Sequence, residues 1–134
     1  MKFKNEKEFE FNVYYDLRSV GLNLQILEKP FDSKMGNLFV EFKISKFEPS
    51  YHEPMIHFTK SQTTCMLVGN IPLVLVCGET DFYLLPTQKI EELINARGRI
   101  NRPHVWISEK DFKDYAMSYT QMIENLKEII YKGV

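Results

Sequence analysis

The chain has no excess of charge of either sign. Seventeen Lys and Arg face 18 Asp and Glu, for a formal net charge of −1. A strongly basic chain would point to nucleic acid, and this balance withholds that argument while leaving local basic patches open. Cysteine is nearly absent: Cys65 and Cys77 make no staple pattern and read as two reduced, buried thiols of an intracellular protein. No apolar run is long. The longest, IPLVLVC at 71–77, falls far short of the ~20 residues that span a bilayer, so no membrane partner is expected. The opening MKFKNEKEFEF has no apolar core of a signal peptide. Low-complexity tracts and linkers are missing too. These absences predict a soluble, cytoplasmic protein.

What is present is an ordinary globular composition. Hydrophobic residues make up 44% of the 134, charged residues 26%, with Phe 10 and Tyr 7. That length suits one domain and buries about two-thirds of its unfolded surface. One domain over 1–134 is expected, with a core at about 5–86 and a C-terminal extension at about 87–134.

Apolar periodicity orders the elements. Residues 5–20 read as a helix with Val13, Tyr14, Leu17 and Val20 on one stripe, ended by Gly21. Glu10 lies on that same stripe. Residues 22–28 read as a strand that Pro30 breaks. A short extended piece at 31–34 and a Met-Gly-Asn turn at 35–37 lead into a strand at 38–45. KFEPSYHEP at 46–54 reads as a loop. A helix at 59–68, a buried strand at 71–77, a strand at 81–85 and a helix at 87–96 follow. After the basic stretch RGRINRPH comes a short strand at 104–108. Ser108 with Asp111 resembles a capping box, and one long helix of about 24 residues carries a stripe from Phe112 to Ile130. Strands precede and follow a crossover helix, so the expected class is α/β with a mixed sheet flanked by helices, plus C-terminal helices.

The chemistry-bearing residues cluster around the strand 38–45. Leu38, Val40, Phe42 and Ile44 share one face, which leaves Glu41 and Lys43 together on the other. Asp32 lies on the preceding hairpin arm, opposite Val40 or Glu41. A slip of one residue would change its face, and the sequence leaves that register open. Two carboxylates held together repel unless a cation or proton intervenes. An acidic oxygen site suits Mg²⁺ or Mn²⁺, and a lysine beside it stabilises charge on phosphate. Glu10 is a third carboxylate for the set. Taken singly, Glu41 and Lys43 read as a surface ion pair and Asp32 as a turn residue. The combination carries more weight than its members.

The segment Pro-Phe-Asp-(x8)-Glu-Phe-Lys, Pro30 to Lys43, resembles the PD-(D/E)xK signature of the restriction-endonuclease-like nuclease superfamily, with Phe31 splitting its Pro-Asp pair. The helix Glu10 to Gly21 resembles the first helix of small archaeal Holliday-junction resolvases. The resemblance covers about the first 85 residues and implies an αβββαβ core. It implies that Glu10, Asp32 and Glu41 hold one or two Mg²⁺ (or Mn²⁺) ions and that Lys43 acts beside the scissile phosphate. Gln62, in FTKSQ, would position Lys43 or a water, with Ser45 a weaker match. The implied activity is a metal-dependent endonuclease (a phosphodiesterase) hydrolysing DNA to 5′-phosphate and 3′-hydroxyl ends. Two cuts in a branched substrate imply a homodimer. Alternatives are an inactive nucleic-acid-binding or assembly module with the same fold, and a ribonuclease.

Arg97, Arg99 and Arg102, with Lys46 and Lys60 nearer the site, are candidate phosphate contacts, or else solvated surface. His52, Glu53 and His57 fit no strong metal pattern. Cys65 reads as packing.

Overall fold

The computed structural model describes residues 2–96 and 103–133. Its main sheet has five strands in the order β1-β2-β3-β6-β7. These are Gln25–Ile26, Ser33–Met35, Leu38–Ile44, Leu73–Cys77 and Phe82–Leu85. β3 and β6 run parallel and the other pairs antiparallel. The class is therefore mixed α/β with a mixed sheet. The tight loop between β2 and β3 holds Gly36 at φ 56°, a backbone that favours glycine in two-residue hairpins. That loop sets Ser33 opposite Val40 and Met35 opposite Leu38.

Both faces of this sheet are covered. On one lie α1 (Glu6–Arg18) and α4 (Tyr119–Tyr131). Phe9, Val13 and Leu17 of α1 and Met122 and Leu126 of α4 pack there with Val40, Phe42, Leu73 and Leu75. Asn5 caps α1 by accepting from Glu8 N–H, and Gly21 follows at φ 80°. Val20, expected on the apolar stripe, lies past the helix end and is exposed. On the other face, Val74, Val76, Tyr83 and Leu85 meet Ile90 and Ile94 of α3 (Thr87–Asn95) and Met66 of α2 (Lys60–Leu67).

Three expectations need correction. The strand at 22–28 shrinks to Gln25–Ile26, an exposed edge. The loop at 46–54 instead supplies strands: β4 (Lys46–Glu48) and β5 (Glu53–Phe58) form a second, antiparallel sheet with β8 (Val105–Ser108), in the order β4-β5-β8. Pro54 is compatible with this because β8 pairs only from Met55 onward, leaving Pro54 at the end of the strand where proline is tolerated. The single C-terminal helix is two elements, a 3₁₀ helix at Glu109–Tyr115 and α4. Between them Met117 pairs with Phe82 through two backbone hydrogen bonds of 2.8 and 2.9 Å, and Ser118 caps α4 through Gln121 N–H. The apolar stripe runs on across the break because its halves serve different cores. Phe112 packs with the α3 side, whereas Met122 and Leu126 pack with α1. Ser108 caps the 3₁₀ segment through Lys110 N–H at 3.4 Å.

Cys65 and Cys77 are unpaired and Cys77 is buried. No helix among the described residues is long and apolar enough to cross a membrane.

A polar knot ties the 3₁₀ segment to the β6–β7 turn. Buried Glu109 accepts from Tyr83 OH at 2.7 Å and from Lys113 at 3.4 Å. A Cβ on Gly78 would stand 2.7 Å from Glu109 Oε2 and 2.8 Å from the Asp81 carbonyl oxygen. Gly78→Ala is expected to destabilise the fold by ~1–3 kcal/mol, as overpacking does. The urea midpoint measures this, and an unchanged midpoint would refute the account of the knot.

Candidate active site

The site is assembled where β2 ends. Continuing the β2–β3 register by one residue sets Asp32 opposite Glu41. The Asp32 N–H donates to Glu41 Oε1 at 3.1 Å, and Asp32 Oδ2 accepts from Phe42 N–H at 2.9 Å. Val40 and Phe42 belong to the α1 side of the sheet, so Glu41 and Lys43 point to the opposite side. Asp32 links the two sides, because it is also the neighbour that acts on the Glu10 carboxyl of α1.

Lys43 and Glu41 are both buried, at 4% and 3% exposure. Such charges need partners. Lys43 Nζ lies 3.0 Å from Glu41 Oε2 and donates to Gln62 Oε1 at 3.1 Å. Gln62 Nε2 donates to Glu41 Oε2 at 2.7 Å and to the Pro30 carbonyl at 3.0 Å. Gln62 is held by a capping box with Thr59 at the start of α2, so the helix terminus itself orients the amide. Lys43 also stands 4.9 Å over the Phe58 ring, a cation–π contact. Ser45 Oγ, two residues along the same face, is buried without a hydrogen-bond partner among the described residues.

Burial first, and then the neighbouring Asp32, raise the Glu10 carboxyl to about 8 against the lowering effect of Lys7. Burial likewise lifts Glu41 to about 8, with Asp32 adding to the rise and Lys43 opposing it. Desolvation outweighs the Lys43 ion pair here.

The five residues Glu10, Asp32, Glu41, Lys43 and Gln62 are thus brought together. Lys46 is exposed and lines a groove of about 330 Å3 that opens onto Lys43. Lys60 is exposed at the first position of α2. Arg97, Arg99 and Arg102 lie outside the described residues. His52 sits in the β4–β5 turn at φ 56°, whereas His57 turns to His104, with ring nitrogens 3.0 Å apart. Sequence reasoning missed Glu6, which borders the groove with Lys43. Its spacing of four from Glu10 on one helix was the available signal. Tyr14 was read as core, but its hydroxyl also bonds Ser33 behind the carboxylates. A larger groove of about 780 Å3 along α1 and β1 is lined by Phe11, Tyr15 and Ile26 among others and by none of the five site residues.

The donor set is all carboxylate oxygen, which suits a hard divalent cation such as Mg²⁺ or Mn²⁺. Protons at Glu10 and Glu41 relieve the repulsion that a cation would otherwise relieve. Among the described residues, no group of three or more His, Cys, Asp or Glu side chains is placed so that it could hold a metal ion. Both Glu41 oxygens are engaged: Oε1 accepts from Asp32 N–H, and Oε2 is engaged by Gln62 and Lys43. No protein-family model matches the chain, and no curated protein or solved structure shows significant similarity to it.

The raised carboxyls set the sign of a pH effect. Glu10 and Glu41 titrate near 8 when folded against an ordinary 4.5. The folded chain then binds more protons than the unfolded chain between those values. Stability contributed by these groups is therefore lost as pH rises from 4.5 to 8. Glu10→Gln is expected to flatten this slope, matching the wild type in mild acid and exceeding it in mild alkali. Urea unfolding across that range checks it, and parallel curves for the two proteins would refute it.

Proposed function

We propose that the chain is a divalent-metal-dependent endonuclease that hydrolyses DNA phosphodiester bonds, with a restriction-endonuclease-like core. The observation that carries this reading is the convergence of Asp32, Glu41 and Lys43, with Gln62, in one buried hydrogen-bonded set. Within the main sheet, the order α1, β1–β3, α2, β6 also follows the αβββαβ arrangement that the signature implies.

A metal ion held by Asp32 and Glu41, with Glu10 beside them, would supply Lewis-acid stabilisation of charge on the phosphate oxygens. Lys43 has two contacts fixed, to Glu41 and Gln62. An ammonium has three donors, and besides these two contacts Lys43 faces the Phe58 ring, so a non-bridging phosphate oxygen would compete with that ring for the third N–H. Gln62 holds that ammonium in place, and its own orientation is fixed by Thr59 and Pro30. Water adds to phosphorus in line and the bond to the 3′ oxygen breaks, leaving 3′-hydroxyl and 5′-phosphate ends. On a branched substrate two such cuts call for two sites, and hence a symmetric homodimer.

Purified protein with Mg²⁺ or Mn²⁺ is expected to cut at least one of branched, single-stranded or duplex DNA. Asp32→Ala, Glu41→Gln and Lys43→Ala should each slow cleavage by ~100-fold or more, and Gln62→Ala by roughly 10–100-fold. Cleavage unaffected by Asp32→Ala, or no cleavage of any DNA, would sink the assignment. Cutting RNA in preference to DNA would replace it with the ribonuclease reading. DNA binding without cleavage, unchanged by Glu41→Gln, would replace it with a binding module.

At pH near 8, Mn²⁺ should also raise the thermal midpoint of the wild type by displacing protons from the carboxyls. Asp32→Ala should lose that gain, and calorimetry measures both.

A further inference from the structure

We propose that the groove along α1 and β1 is the contact surface of a symmetric dimer, in which β1 pairs antiparallel with the β1 of a second copy of this chain. The inference goes beyond the phosphodiesterase reading. It stands on the sheet edge and the groove rather than on the carboxylates.

The two edges of the main sheet are treated differently. Among the described residues, β7 is covered on its outer side, where Met117 pairs with Phe82. β1 has only β2 beside it. The Leu27 N–H donates inward to the Asp32 carbonyl, and Gln25, opposite Lys34, faces β2 in the same way. By alternation the N–H and C=O of Ile26 point away from the sheet. Charges, prolines and bulges ordinarily guard such an edge. Residues 22–27, LNLQIL, carry no charge and no proline. The alternation of 22–28 also predicts a longer strand than the two residues, Gln25–Ile26, that β2 orders. A second strand on the open side supplies the missing ladder.

The groove beside this edge is apolar. It holds about 780 Å3 and is lined by Phe11, Tyr15 and Ile26, which are 61%, 73% and 66% exposed. Leu24 packs with α1 in the core, so Ile26, two residues on, faces the α1 side as well. Side chains of this size make an apolar patch on the order of 300–600 Å2. That suits the centre of a standard contact, which takes about 800 Å2 from each partner.

Charge selects a second copy as the occupant. A two-fold axis at Ile26 sets that residue against its own copy and sets Leu24 against the partner's Glu28. Arg18 lines the groove together with Leu24, so the pairing brings the partner's Glu28 to Arg18, and symmetry repeats the contact. Both side chains are exposed, and neither has an ion-pair partner among the described residues. A strand from another protein could use the open edge, but this chain carries the charge match in itself.

Sedimentation velocity of the full chain at micromolar concentrations is expected to show a dimer. Ile26→Lys and Tyr15→Glu change exposed positions and should leave a monomer with unchanged circular dichroism. Arg18→Glu and Glu28→Arg should each weaken dimerisation ~10-fold or more through like-charge contacts, and the double variant should restore it. A dimer that Ile26→Lys leaves intact, or a double variant no tighter than either single one, overturns the proposal. A wild type that stays monomeric also overturns it and leaves the groove to a strand of another protein. A monomer that cuts DNA keeps the nuclease reading and sinks this one, and a dimer that cuts nothing does the reverse.

Discussion

Strand β3 is covered on both faces, and every polar group on it must find its partner inside the protein. Parallel pairing with β6 leaves Val40 and Phe42 under α1, and Glu41 and Lys43 under α2 and the second sheet. A buried ion pair is poor value for stability alone, since desolvation offsets most of the attraction. It survives here because each member has further neutral partners: the Asp32 N–H, the Gln62 amide and the Phe58 ring. Three elements distant in sequence are thereby held in register on one pair of charges.

The same burial shapes the electrostatics. Water that would stabilise Glu10 and Glu41 is excluded, and both carboxyls are raised to about 8. The direction of both shifts follows from burial, which disfavours the charged form of a carboxyl.

The legible and illegible parts of the fold differ in the range of the interaction that decides them. β3 was legible from strict alternation, and its two-residue turn from a Gly-Asn pair, because both are local. Gathering Asp32, Glu41, Lys43 and Gln62 needed a motif, since the sequence left open the hairpin register that places Asp32. The second sheet was hidden because KFEPSYHEP carries turn-forming residues that are local, while β5 is completed by β8 some 50 residues away. The break before α4 was hidden for a related reason. Its apolar period is continuous, and only the tertiary demand that Phe112 and Met122 reach opposite faces of one sheet interrupts it.

That second sheet alters what the site can be. Without it, β3 would carry Glu41 and Lys43 on a solvated face, where an exposed pair contributes little. With it, Phe58 closes over Lys43 while His57, one residue earlier, faces the groove. One strand thus covers Lys43 with one side chain and lines the neighbouring groove with the next. Alternation along β5 couples the two tasks, because a one-residue slip would move Phe58 off the lysine and His57 into the core. The register with Trp106 and Val105 on β8 guards against that slip, which makes β8 part of the site although it supplies none of its carboxylates.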